Sequence, residues 1–197
     1  MTSNPDRERH YNCDKPYDQM LKHAALHEAG HIVAAYALGF DVAFSILHVR
    51  HDTPNRSVGG YTEVHLSWLG RFANDEEAQA AARRPDVLRI RIIQCAAGQI
   101  AESLVNPDRE DIRAGAQGDD DYMIQCALMA LRREDGTFDD TNLEQEVDSY
   151  LHARDVDAFE LLKTRGAALV RVTNYLSSHV NQQIDGTVLA RLAKDEA

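Results

Sequence analysis

Between residues 18 and 39 the chain carries Leu21, Ala24, Ala25, Ile32, Val33, Ala35, Tyr36 and Leu38, and Gly39 closes the run. Apolar residues recurring at three- and four-residue steps define a helix, and a glycine just past the last of them is a C-terminal stop. Inside this helix lies His27-Glu28-Ala29-Gly30-His31. A four-residue step brings both imidazoles onto one face about 5–6 Å apart, close enough to share one ion. The fold must therefore enclose a helix that carries two histidines and a glutamate among small and apolar neighbours.

The remaining pattern alternates helical runs with one short β region. Val42 to Val49 is rich in β-branched and aromatic residues, and Gly59 to His65 follows a polar connector with Pro54 and Asn55, which predicts two short paired strands. Helices are expected over 75–84 and, after Pro85, over 87–105, where Leu88, Ile92, Cys95, Ala96, Ile100 and Leu104 keep near-helical spacing. Asn106-Pro107-Asp108 breaks that run. Arg113 to Asp121 reads as a loop, with Asp119 or Asp120 as N-cap of a helix bearing Met123, Ile124, Ala127, Leu128 and Leu131. A charged turn from Arg132 to Asn142 precedes helices over 143–164 and 166–181 and a short one from Gly186 to Leu192. The expected class is mainly α with a small β-sheet. Residues 1–17 form a polar N-terminal segment and 18–197 a single domain, since 197 residues suit one hydrophobic core.

Charge narrows the partners. Lys and Arg number 21 against 32 Asp and Glu, a net charge of −11, which argues against a protein that works by neutralising phosphates and hence against a nucleic-acid partner. The apolar runs Ile32 to Phe40 and Ile92 to Ala101 fall short of the roughly 20 residues a membrane span requires. The polar N-terminus lacks the apolar core of a secretion signal. The three cysteines, Cys13, Cys95 and Cys126, lack metal-ligand spacing, and Cys95 and Cys126 sit in apolar helical runs, as buried reduced thiols do. A cytoplasmic location is expected.

The histidine pair carries the chemistry. With nine histidines in 197 residues, a chance match to this pattern is expected only about 0.03 times, so a metal site is the stronger reading. Zinc accepts neutral imidazole and prefers four ligands, which leaves one protein ligand and one water to find. Glu28 is placed to act as general base on that water during attack on a peptide carbonyl. His23 extends the row one turn back, but one ion cannot span nearly 12 Å, so His23 is expected outside the ligand set, behind it or on the surface. Counting back from Ile124, Ala127, Leu128 and Leu131, Asp120 shares their helical face, whereas Asp119 is rotated by about 100°. Periodicity therefore favours Asp120 as third ligand.

Four segments together carry a family resemblance: His27-Glu28-Ala29-Gly30-His31, Gly59-Gly60-Tyr61-Thr62, Ala96 to Leu104, and Gly115-Ala116-Gln117-Gly118-Asp119. In this order they resemble the protease domain of the FtsH family of ATP-dependent zinc metalloproteases, over about residues 20 to 192. The resemblance implies a zincin-like FtsH peptidase-domain fold, a zinc cofactor, His27 and His31 as ligands, and an Asp of a Gly-Ala-x-x-Asp pattern as the third. The ungapped match is Asp119, so Asp119 and Asp120 both stand. Glu102 is a further contender, because another zincin class takes its third ligand from a glutamate on a downstream helix. The resemblance favours instead a Glu102 that pairs with a cation or orients a ligand. It also likens Gly59, Gly60 and Tyr61 to an edge strand that binds extended substrate by main-chain hydrogen bonds.

The chain departs from that family in three respects: no Gly-x-x-x-x-Gly-Lys-Ser/Thr loop occurs in it, the stretch from Leu66 to Arg84 is more acidic and alanine-rich, and the turn after Arg132 is unlike the family's. The expectation is a stand-alone zinc metallopeptidase acting on peptides or unfolded polypeptide, with a homo-oligomer or a separate ATPase as partner. The alternative is a non-catalytic member of the same fold that binds metal or peptide as a regulator or adaptor.

Overall fold

The computed structural model describes residues 15–50, 57–65, 74–132, 137–138 and 141–194. Cys13 with the rest of the segment before residue 15, the connectors at 51–56 and 66–73, and most of the charged turn after Arg132 lie outside the described residues. In chain order the elements are α1 (Tyr17–Ala37), β1 (Asp41–Arg50), β2 (Ser57–His65), α2 (Asp75–Ala82), α3 (Pro85–Ser103), α4 (Arg109–Leu131), α5 (Leu143–Lys163), α6 (Gly166–Ser178), β3 (Ile184–Asp185) and α7 (Gly186–Ala193). The protein is mainly helical with one small antiparallel sheet.

Helix α1 is the centre of the molecule. Every residue from His23 to Ala35 is buried, so the helix is covered on all sides, as a helix apolar around its whole circumference must be. Helices α3 and α6 and strand β2 supply most of the cover. Its end is a Schellman turn: the Phe40 N–H donates to the Ala35 carbonyl at 2.8 Å and the Gly39 N–H to that of Tyr36 at 3.4 Å, with Gly39 at φ +81°. A glycine adopts that left-handed conformation without the Cβ penalty. The turn drops Phe40 into the core and sends the chain into β1.

The sheet has the order β2-β1-β3. Its β1–β2 register sets Ser45 opposite Thr62 and Leu47 opposite Gly60, with a bulge between Val42 and Phe44. Strand β3 was not anticipated, because two residues leave no alternation to detect; Ile184 pairs with Ser45 and Asp185 with Phe44. Asp185 then caps α7, its Oδ1 accepting from the Thr187 N–H at 2.8 Å.

Residues 113–121 are a correction to the expected loop. They lie inside α4, which starts at Arg109, so neither Asp119 nor Asp120 is an N-cap. Gly115 and Gly118 each cost a helix up to about 1 kcal/mol relative to alanine, yet α4 runs through both because it packs along α3. Among the described residues its buried positions are Ile112, Ala116, Met123, Cys126 and Ala127, while Ile124 is 41% exposed.

Among the described residues no helix is long and apolar enough to cross a membrane.

Candidate metal centre

Two close approaches build the site. A Cβ on Gly30 would lie 2.2 Å from the Ala97 carbonyl oxygen, so only glycine lets the backbones of α1 and α3 come this near. The same proximity presses Gly98 against the imidazoles: a Cβ there would lie 2.3 Å from His27 Nε2 and 2.5 Å from His31 Nε2. The two histidines, fully or almost fully buried, face a wall of backbone.

The outer nitrogens settle the tautomers. His31 Nδ1 lies 3.0 Å from the Gln94 carbonyl oxygen, and His27 Nδ1 lies 3.2 Å from Glu102 Oε2. A backbone carbonyl and an ionised carboxylate only accept, so with Glu102 ionised each Nδ1 donates and each Nε2 keeps its lone pair. The two Nε2 atoms face one another at 2.8 Å. Asp119 Oδ2 completes a triangle, 3.4 Å from His27 Nε2 and 3.3 Å from His31 Nε2. Three lone-pair donors converging at such distances repel unless a cation or proton lies among them. Zinc bonds of 2.0–2.2 Å in a tetrahedron space their donors about 3.3 Å apart, which matches both Asp119 distances; the imidazole pair would open by about 0.5 Å. His27, His31 and Asp119 together could hold a metal.

Asp119, and not the Asp120 favoured by periodicity, stands at the histidines. Of the stripe Ile124, Ala127, Leu128 and Leu131 only Ala127 is buried, and Ile124 is exposed, so that stripe does not mark the face α4 turns to the site. Asp119 lies three residues after Ala116 and four before Met123, both buried, and so points inward. Asp120 accepts a hydrogen bond from the Gln99 side-chain amide. Glu102 lies outside the donor triangle: its Oε2 faces His27 Nδ1 and its Oε1 accepts from Asn106 Nδ2 at 2.9 Å. His23 is buried rather than at the surface, its Nδ1 4.0 Å from Glu102 Oε1.

Glu28 is buried beside the triangle and is gripped from the sheet. Thr62 Oγ1 donates to Glu28 Oε2 at 2.6 Å, and Ser45 Oγ lies 2.9 Å from Thr62 Oγ1. With its proton given to Glu28, Thr62 accepts from Ser45, and the chain of hydroxyls fixes the carboxylate. Gly60 makes room for it, since a Cβ there would lie 2.5 Å from Glu28 Cγ.

These groups border a cleft of about 240 Å³ between β2, α3 and α4. Gly60 and Tyr61 line it, whereas Gly59 does not. Arg91 and Tyr122 line it too, and the Arg91 guanidinium donates to the Tyr122 hydroxyl. Burial, with Cys126 nearby, pushes Tyr122 up to about 12 despite the guanidinium. The phenol is therefore a neutral hydroxyl at any physiological pH. Sequence reasoning missed Ser45, Gly98, Arg91 and Tyr122, and did not assign Thr62 to Glu28; only the small-residue run Ala96-Ala97-Gly98 carries a local sign of close packing.

No protein-family model matches the chain, and no curated protein matches it either.

Proposed function

We propose that this protein is a zinc metallopeptidase of zincin-like, FtsH-peptidase-like fold that hydrolyses peptide bonds in unstructured polypeptide. The observation that carries the reading is the triangle of His27 Nε2, His31 Nε2 and Asp119 Oδ2 beside a buried, hydroxyl-anchored Glu28. The motif resemblance to FtsH proteases supports the same assignment. Zinc held by that triangle would supply Lewis-acid polarisation of a carbonyl and a more acidic water.

The chain's own groups do the rest. Glu102 and the Gln94 carbonyl hold the imidazoles with Nε2 inward. Thr62 ties down Glu28 Oε2, which leaves Oε1 to take a proton from water and pass it to the leaving amine. As an edge strand of the sheet among the described residues, β2 can accept an extended peptide by main-chain hydrogen bonds, with Gly60 and Tyr61 at the cleft. Such a mode needs several residues of free backbone, so peptides and unfolded chains are the substrates. Cys95 and Cys126, both buried thiols, suit a reducing, cytoplasmic setting. The protein's partners would be further copies of the chain or a separate ATPase, and only the latter could unfold a stable substrate.

The test is zinc content together with cleavage of an unstructured protein. One zinc per chain is expected. Glu28→Gln should keep the zinc and lose cleavage by about two orders of magnitude or more. Undiminished turnover in that variant, or no zinc in the purified chain, would reject the reading.

A further inference from the structure

The strongest unused feature of the cleft is Arg91. It is half-buried on α3, it lines the same cleft as Glu28, His31 and Asp119, and among the described residues no carboxylate pairs with it. Its one hydrogen bond is the one given to the Tyr122 hydroxyl, and its Nε is buried with no hydrogen-bond partner among the described residues. Guanidinium groups withdrawn from water normally face carboxylates or phosphates, for which their planar fork is shaped. Tyr122 compounds the mismatch. Its oxygen accepts from Arg91, so its own proton points onward, towards the weakly accepting Cys126 sulfur.

Position gives the pair its meaning. Arg91, Gln94, Cys95 and Gly98 stand at i, i+3, i+4 and i+7 on the face of α3 that borders the site. Asp119 and Tyr122 stand in the same relation on α4, about 4.5 Å apart along the helix axis. One residue of extended peptide covers about 3.3 Å. The guanidinium and the phenol therefore line the same cleft as Glu28, His31 and Asp119, within the reach of a short extended peptide bound there.

We propose that Arg91 and Tyr122 form a carboxylate-binding subsite that selects peptides carrying a carboxylate next to the bond to be cut, either an acidic side chain or the free chain end. Substrate choice at this position rests on the peptidase reading, but the subsite itself is a matter of binding. Arg91 supplies two N–H donors and Tyr122 one O–H donor to the carboxylate oxygens, and the partly enclosed cleft strengthens both.

The experiment measures binding by calorimetry to the full-length Glu28→Gln chain, with and without zinc. The probes are capped six-residue peptides, differing only in Glu against Gln at each position in turn, or in a free acid against an amide end. A preference of tenfold or more for one acidic form is expected, falling to near one in Arg91→Gln and to an intermediate value in Arg91→Lys, which keeps the charge and loses the fork. Preference for the internal Glu identifies a side-chain subsite; preference for the free end identifies an exopeptidase mode. An equal preference before and after Arg91→Gln and Arg91→Lys overturns the proposal, as does failure of every peptide to bind. Should Arg91→Gln not fold, the fall in Arg91→Lys decides. If the preference appears while the unsubstituted chain cleaves nothing, the peptidase reading fails and the subsite stands. If Arg91→Lys slows acidic and neutral peptides alike in the unsubstituted chain, the guanidinium serves turnover and the proposal falls.

Discussion

Glu102 stands directly behind His27: its Oε2 lies 3.2 Å from Nδ1, and neither side chain is exposed to solvent. A carboxylate in that place fixes the ring's tautomer and raises the basicity of the nitrogen on its far side. Its second oxygen is held by Asn106, so the carboxylate cannot swing round to become a donor itself.

Glu102→Gln should therefore weaken zinc binding by about 10–100-fold without abolishing it. The Kd measured by chelator competition checks this. An effect as large as that of His27→Ala would make Glu102 a ligand.

Gly98→Ala separates folding from metal binding. In a helix interior alanine is favoured over glycine by up to about 1 kcal/mol, but here the new methyl would sit 2.3 Å from His27 Nε2 and 2.5 Å from His31 Nε2. The variant should keep its helical circular dichroism and lose most of its zinc by elemental analysis. Full zinc retention would contradict the packing of α3 against the imidazoles.

The adjacent aspartates should behave unequally. Asp119→Asn removes the third donor of the triangle and should lower zinc affinity by orders of magnitude, while Asp120→Asn weakens the contact with Gln99 and leaves the triangle intact. Zinc titrations of the two variants decide it, and the reverse order would restore the periodicity argument.

Asp155 on α5 gives a pH signature. Burial raises its pKa, and the Asp120 carboxylate adds to the rise against an opposing pull from His152. A carboxyl whose folded pKa lies above its unfolded value contributes most below the unfolded value, near 3.9, and loses that contribution as pH rises through the folded one. Asp155→Asn should thus raise Tm at pH 7, with the gain shrinking as pH falls towards 4. A gain that grows on acidification would reverse the sign.

What the sequence determined by itself is what one helix contains. Four residues turn a helix by a fixed angle and rise, so His27 and His31 share a face whatever surrounds them. The same local rules placed the end of α1 at Gly39 and gave most helices to within a few residues. The third donor was not local. It depended on the rotational phase of α4, and that phase came from Ala116, Met123 and Cys126 packing along α3 rather than from the apolar stripe ending at Leu131. Packing along α3 also carried α4 through Gly115 and Gly118, where propensity alone predicts a loop. The contacts of Glu102 with His27, Thr62 with Glu28 and Arg91 with Tyr122 bridge 75, 34 and 31 residues of sequence. Contacts of that span follow from how closely helices and strands approach, which at Gly30 and Gly98 is decided by the absence of a side chain and leaves no periodic trace in the chain.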